Sequence, residues 1–112
     1  MTRPVLLAVV CSTRPHRIGR AIGDWFVAVA QESGPFEVRL VDLAELALPF
    51  MDEPKHPRQH HYSHDHTRQW SRTIAGADAV VWVQPEYNLA MAAAQKNALD
   101  YLALNSAWAA AQ

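Results

Sequence analysis

The sequence holds a single cysteine, Cys11, among 112 residues. One thiol excludes an intramolecular disulfide framework and any cysteine-rich zinc finger, and it fits a reducing compartment, so the cytoplasm is the expected location. An excess of charge of one sign is missing too: ten Lys and Arg against eleven Asp and Glu leave a net charge of −1. Without a basic field there is no electrostatic footprint for nucleic acid or an anionic membrane surface. No apolar run reaches the roughly 18 uncharged residues of a membrane span, and the opening Met1-Thr2-Arg3-Pro4 leads into a stretch too short and wrongly flanked for a secretory signal. Glycine is scarce, with four residues in all, and neither a G-x-G-x-x-G fingerprint nor a Walker-type G-K-[ST] is present. What remains is 50% hydrophobic and 19% charged, the balance of one globular domain over residues 1–112 with no internal repeat or boundary.

Val5 to Cys11 is a continuous apolar run, the pattern of a strand buried on both faces of a parallel sheet. It leads through a polar, basic segment into an amphipathic helix expected from Ile18 to Glu32. Ile22, Phe26 and Ala30 are placed on its core face, with Trp25 and Val29 widening it. Ser33-Gly34-Pro35 stops the helix, and Phe36 to Asp42 alternates as a half-buried edge strand does. Leu43 to Tyr62, punctuated by Pro49, Pro54 and Pro57, reads as a long surface loop with a short helical turn near Leu46. A helix from Ser63 to Gly76 follows, striped by Thr67, Trp70, Ile74 and Ala75. A third apolar strand, Ala79 to Gln84, and an Ala-rich helix from Met91, lined by Ala94, Ala98, Leu99 and Leu102, complete the order β-α-β-α-β-α. That order predicts an α/β domain with a parallel sheet and ligands at the carboxyl ends of its strands. A complete doubly wound sheet needs about 150 residues, and this length provides for three βα units.

A loop that leaves a buried first strand and opens a helix is where α/β proteins bind phosphate, because its amides and the helix N-terminus carry partial positive charge. Ser12 and Thr13 add hydroxyl donors there, and Arg14 and Arg17 are built to clamp oxygens. The same loop carries a second reading. Cys11 and Arg17 have the C-x5-R spacing of cysteine-dependent phosphatases, in which a thiolate attacks phosphorus while the arginine holds its oxygens. Against it, Ile18 stands where a Ser or Thr would assist the thiolate, Pro15 removes a cradle amide, and no Asp-Pro-Tyr-like acid segment is present. The plain role of Cys11 is a small buried residue ending a strand.

The motifs taken in order are Ser12-Thr13-Arg14-Pro15-x-Arg17-Ile18-Gly19, Tyr62-x-His64-x-His66-Thr67-x-x-Trp70, Ala77-Asp78, Pro85-Glu86-Tyr87-Asn88 and Lys96-Asn97-Ala98-Leu99-Asp100-Tyr101-Leu102. Together they resemble the NADPH-dependent FMN reductase family, flavodoxin-like proteins that include quinone, azo-dye and chromate reductases. The resemblance implies a three-layer α/β/α sandwich with strand order 2-1-3 over the units present. It also implies FMN as cofactor, NADPH or NADH as co-substrate, a small-molecule electron acceptor and a homodimer. By the same resemblance Ser12, Thr13, Arg14, Arg17, Ile18 and Gly19 would hold the FMN phosphate, and Pro85, Glu86, Tyr87 and Asn88 would run beside the isoalloxazine and ribityl groups. No side-chain base is implied, because the flavin itself carries the hydride chemistry. Outside the resemblance, Glu86 to Asn88 read as an ordinary turn, and Lys96, Asn97 and Asp100 as a solvated helix face.

The chain departs from the family pattern at Cys11, Leu89 and Ala92, where the family has Gly, Gly and Pro. It also stops at Gln112, where the family continues with a fourth strand, a Gly-rich loop, a helix and a fifth strand. The resemblance therefore implies a C-terminally truncated chain, with catalytic loss or a partner-binding role as the alternative reading. Without a fourth strand, the Ala79 to Val83 run is expected to be an open edge. Five of the six histidines fall between His56 and His66, namely His56, His60, His61, His64 and His66, near Asp52, Glu53 and Asp65. No H-E-x-x-H or other fixed ligand spacing appears, so the spacing assigns no metal ligands.

Overall fold

The structure, a computed structural model, describes residues 3–55 and 61–102. Its elements are β1 (Val5–Val10), α1 (Gly19–Ser33), β2 (Glu37–Asp42), α2 (Leu43–Leu46), α3 (Asp65–Ala75), β3 (Ala79–Val83) and α4 (Ala93–Asp100). The strands form a parallel sheet of order β2-β1-β3, with Val10 level with Asp42 on one side and with Val83 on the other. β1 is the central strand, and Ala8, Val9 and Val10 are fully buried. A strand paired on both edges and covered on both faces has no polar face to show, which is why its sequence is unbroken Val, Leu and Ala. At its far end Val5 N donates to Asp78 Oδ2 at 2.7 Å, so that strand terminus is hydrogen-bonded by the residue that introduces β3.

Leu7, Val9 and Cys11 point into one core cluster with Leu43, Trp70, Ile74, Ala98, Tyr101 and Leu102. α3 and α4 thus lie on one face of the sheet, and Trp70 Nε1 ties them together by donating to Ala98 O at 3.0 Å. Of the stripe expected for α3, Thr67, Trp70 and Ile74 are buried, whereas Ala75 in its last turn is exposed. In β3, Val80 and Trp82 pack against this cluster, but the strand is only half-buried because β3 is an edge of the described sheet. The expectations for residues beyond 102, and for His56 and His60, lie outside the described residues.

On the opposite face α1 approaches the sheet differently from the sequence expectation. Its buried residues are Gly23 and Ala30, whereas Ile22, Trp25 and Val29 are exposed at 46%, 65% and 39%. A Cβ added at Gly23 would stand 2.6 Å from Val10 Cγ2. The helix therefore rests its small residues on β1, and this close approach turns the bulky apolar residues away from the sheet. Of the expected face, Ala30 is buried and Phe26 half-buried, but Ile22, Trp25 and Val29 are not, because the contact centres on Gly23, which carries no hydropathy signal.

Gly23→Ala is a direct test of that packing. Helix propensity alone favours Ala by about 1 kcal/mol, whereas forcing a methyl into a filled core costs about 1–3 kcal/mol. We expect net destabilisation in urea unfolding; a stabilised variant would show that α1 does not rest on this glycine.

Candidate functional site

The carboxyl ends of β1 and β3 adjoin, and the loops that leave them meet over one cavity of about 500 Å³. Ser12, Arg14, Arg17, Ile18 and Gly19 line it from the first loop, and Pro85, Glu86 and Tyr87 from the second. His16, Ile22, Val83 and Gln84 also line it and are not among the expected site residues, Ile22 being expected on the core face of α1. Two expected residues stand off this cavity. Thr13 lines a neighbouring hollow with Leu43, Phe50 and Asn97, and Asn88 is exposed at the tip of a turn.

The first loop is shaped by a charge pair. Arg17 donates Nη1 to Asp42 Oδ1 at 2.7 Å and Nη2 to Asp42 Oδ2 at 2.6 Å, and Nη1 also donates to Ser12 O at 2.6 Å. Arg20 adds a contact to Asp42 Oδ2 at 3.0 Å, and Asp42 accepts from Ala44 N as the cap of α2. The Arg17 hydrogen bonds, followed by those from Arg20 and the Ala44 amide, hold the buried Asp42 carboxyl at about 2 despite burial, which acts the other way. Arg17 therefore spends its bidentate fork on Asp42, leaving its Nε–H and one Nη2–H for anything else. Asp42 is the principal site residue the sequence reading missed. It ends a strand 25 positions from Arg17, and nothing local marks it.

Three features leave the loop short of internal partners. The Ser12 side chain is in a residue only 8% exposed, and its hydroxyl has no hydrogen-bond partner among the described residues. Arg14 is exposed and likewise unpaired among them. α1 opens with no side-chain cap and no acidic residue in its first turn, so its first amides point into the loop without a carboxylate to receive them. Gly19 permits the closeness of this arrangement, since a Cβ there would lie 2.9 Å from Ser12 Cβ.

Cys11 has another character. It is fully buried, its Sγ–H faces Val9 O at 3.5 Å, and burial pushes the thiol up to about 12. A thiol held protonated in the core is no nucleophile at neutral pH, and its supposed arginine partner is bound to Asp42. The cysteine-phosphatase reading is thereby overturned.

In the second loop, Tyr87 N donates to Ala90 O at 3.1 Å and Ala90 N to Tyr87 O at 3.0 Å, closing a two-residue turn. Asn88 and Leu89 both take left-handed backbone, with φ of 52° and 66°. Asn tolerates this conformation and Leu does so at a steric cost, so the position asks for glycine on geometric grounds. Glu86 Oε2 accepts from Leu89 N and stabilises the turn from within. In α4, Lys96 and Asp100 lie on the expected solvated face and form an ion pair there. Asn97 does not face solvent alone: it accepts from Met51 N at 2.9 Å and donates to Pro49 O at 2.8 Å, holding the loop after α2.

The chain matches the family model described as NADPH-dependent FMN reductase over residues 4–111. It is 37% identical over 101 residues to an NAD(P)H-dependent FMN reductase of Schizosaccharomyces pombe, covering 88% of this chain and 50% of that protein. An NAD(P)H-dependent FMN reductase of Nectria sp is 31% identical over 100 residues, covering 84% and 50%. Among solved structures, the azoreductase AzrA superposes with a TM-score of 0.68 at 22% identity over 88% of this chain and 55% of its own. The flavoenzyme NAD(P)H:(acceptor) oxidoreductase FerB of Paracoccus denitrificans gives 0.61 at 22% identity, over 89% and 50%. These structures show the flavodoxin-like fold. The chain spans about half the length of the relatives it matches. Among the described residues no helix is long and apolar enough to cross a membrane.

The Asp42 clamp carries a pH prediction. A carboxyl depressed from 3.8 to about 2 in the folded state contributes stability that is fully present above about pH 4 and is lost as pH falls towards 2, about 2 kcal/mol in all. Asp42→Asn should lower stability at neutral pH and flatten the acid limb of a denaturation-versus-pH profile. An acid limb that is unchanged in the variant would remove Asp42 as its source.

Proposed function

Since the chain belongs to the NADPH-dependent FMN reductase family, we propose that the cavity between the two loops receives FMN. We propose further that the protein passes reducing equivalents from NAD(P)H through FMN to a small acceptor of the quinone, azo or metal-oxyanion type. The observation that carries the reading is the first loop itself: a Ser12 hydroxyl and an Arg14 guanidinium with no hydrogen-bond partner among the described residues, and an uncapped helix start, face one cavity. These are the donors a phosphate monoester dianion requires. The alternative of a fragment that binds FMN without turning it over, or binds only a partner chain, makes a different prediction for reduction or for FMN affinity.

When bound, FMN supplies the acceptance of hydride and its onward transfer. The residues of this chain bind and orient. Ser12 Oγ, the amides from Ile18 to Arg20 and the Arg14 guanidinium are the phosphate donors, with the free Nε–H of Arg17 beside them. Ile18 and Gly19 contribute backbone rather than side chain, since Ile18 is 72% exposed. Pro85, Glu86 and Tyr87 present backbone polar groups and one aromatic ring along the other wall, the elements that hold a planar heterocycle. Thr13 and Asn88 lie at the margins, so their contributions are to loop and turn conformation. A homodimer and a quinone acceptor follow from the family reading alone, and an azo acceptor has in addition the name of the azoreductase AzrA behind it.

FMN titration of the full chain, followed by quenching of flavin fluorescence, tests this. We expect saturable binding of one equivalent, weaker binding of riboflavin, which lacks the phosphate, and a several-fold loss of FMN affinity in Arg14→Ala. Equal affinity for FMN and riboflavin, with no effect of Arg14→Ala, would remove the phosphate from this loop. NADPH oxidation by the FMN-loaded chain then separates a reductase from a binding fragment.

A further inference from the structure

A second group of polar side chains lies outside the proposed cofactor cavity, where the loop after α2 returns to the start of α3. None of its members lines that cavity. His66 Nε2 is 3.0 Å from Asp52 Oδ1, and His64 Nε2 is 3.8 Å from Asp52 Oδ2 and 3.3 Å from Asp52 O. Asp52, Glu53 and His64 have ligand-capable atoms that all lie within 4.8 Å of one another. The two imidazoles lie nearly parallel, 13° apart with centroids separated by 5.0 Å, and each presents Nε2 to the same carboxylate.

Other contacts hold this group in place. The Tyr101 ring meets His66 edge-on at 5.8 Å, and its hydroxyl lies 3.3 Å from Asp52 Oδ1. Glu53 accepts from Ser63 N, His64 N and Thr67 Oγ1, fixing the backbone from which His64 projects. Glu53 Oε1 carries one of these three bonds and retains acceptor capacity. Spacing in the sequence did not mark the group because Asp52 is separated by 12 and 14 positions from the two histidines it meets.

We propose that Asp52, His64 and His66, with Glu53 beside them, bind one divalent transition-metal ion of the zinc class. Two imidazole nitrogens and carboxylate oxygens are the donor set that zinc, nickel and cobalt accept. Ligand atoms 2.0–2.1 Å from a tetrahedral ion stand about 3.3 Å from one another, and the contacts of Asp52 with His66 and His64 bracket that separation. Tyr101 occupies the supporting position: its hydroxyl donates to Pro49 O at 2.8 Å and its ring packs edge-on against His66, holding that imidazole as outer contacts hold metal ligands. Side chains of Asp52, His64 and His66 are 34–40% exposed, so the ion has a path of entry and retains water in its remaining positions. By joining the loop to the first turn of α3, it would close the long connection between α2 and α3.

The probe is Zn²⁺ alone, titrated into the chelator-treated full chain by calorimetry, with Co²⁺ absorption as a second readout of coordination. We expect saturation at one equivalent, a thermal midpoint that rises with free Zn²⁺, and a Co²⁺ spectrum of low-symmetry coordination. His64→Gln and Asp52→Asn should each weaken binding at least tenfold, while replacing His56, His60 and His61 together by Ala should leave it in place. Circular dichroism of the variants separates lost binding from lost folding, and Asp52→Asn preserves side-chain size for the same reason. The proposal is overturned by the absence of Zn²⁺ binding to the folded chain, by binding that survives both single changes in folded protein, or by binding that disappears with the three-histidine change.

Discussion

The two parallel hydrogen bonds between the Arg17 guanidinium and the Asp42 carboxylate are the constraint on which the site depends. Asp42 ends β2, and Arg17 stands in the loop after β1, so the pair fixes that loop to the neighbouring strand at the carboxyl edge of the sheet. Arg17 also holds Ser12 O, which closes the loop onto its own beginning. Such a pair is costly to break from one side, about 3–5 kcal/mol, because the remaining charge is left buried. The consequence for function is a division of labour between two arginines. Arg17 is spent on shape, whereas Arg14 remains available to a ligand.

The polar residues of the second half divide in the same way. Thr67 reaches Glu53, Trp70 reaches Ala98 O, and Asn97 and Tyr101 reach Pro49 O. Each of these contacts fastens the connection after α2 or the packing of α3 against α4, and none lines the cavity between the loops. A motif shared with a cofactor-binding family is therefore not a roll of cofactor contacts. Much of it specifies the scaffold that brings two short loops to the same place.

Legibility in the sequence followed the range of the interaction. The unbroken apolar run of β1, the stripe of Thr67, Trp70 and Ile74, and the short turn near Leu46 are local patterns, and the structure contains all three. The strand order β2-β1-β3 agrees with the α/β reading and with the family resemblance. The contact face of α1 was legible only at Ala30 and Phe26, because Gly23 decides its centre by the absence of a side chain. Asp42 and Asn97 were not legible because each meets its partners across many positions, and a polar residue at a strand end or on a helix looks solvated until its neighbours are known. Leu89 is the converse case: the resemblance marked the position as one for glycine, and its left-handed backbone supplies the reason.

The central claim is that the loop from Ser12 to Gly19, held by Arg17 and Asp42, is an anion cradle facing the turn at Glu86 and Tyr87. Amide chemical shifts of the ¹⁵N-labelled chain during titration with inorganic phosphate and then with FMN test it most directly. The account predicts that phosphate moves the amides of Ser12, Gly19 and Arg20, and that FMN moves those same amides together with Glu86 and Tyr87 along one saturation curve. Shifts confined to other surfaces, or none in the first loop with either ligand, would contradict it.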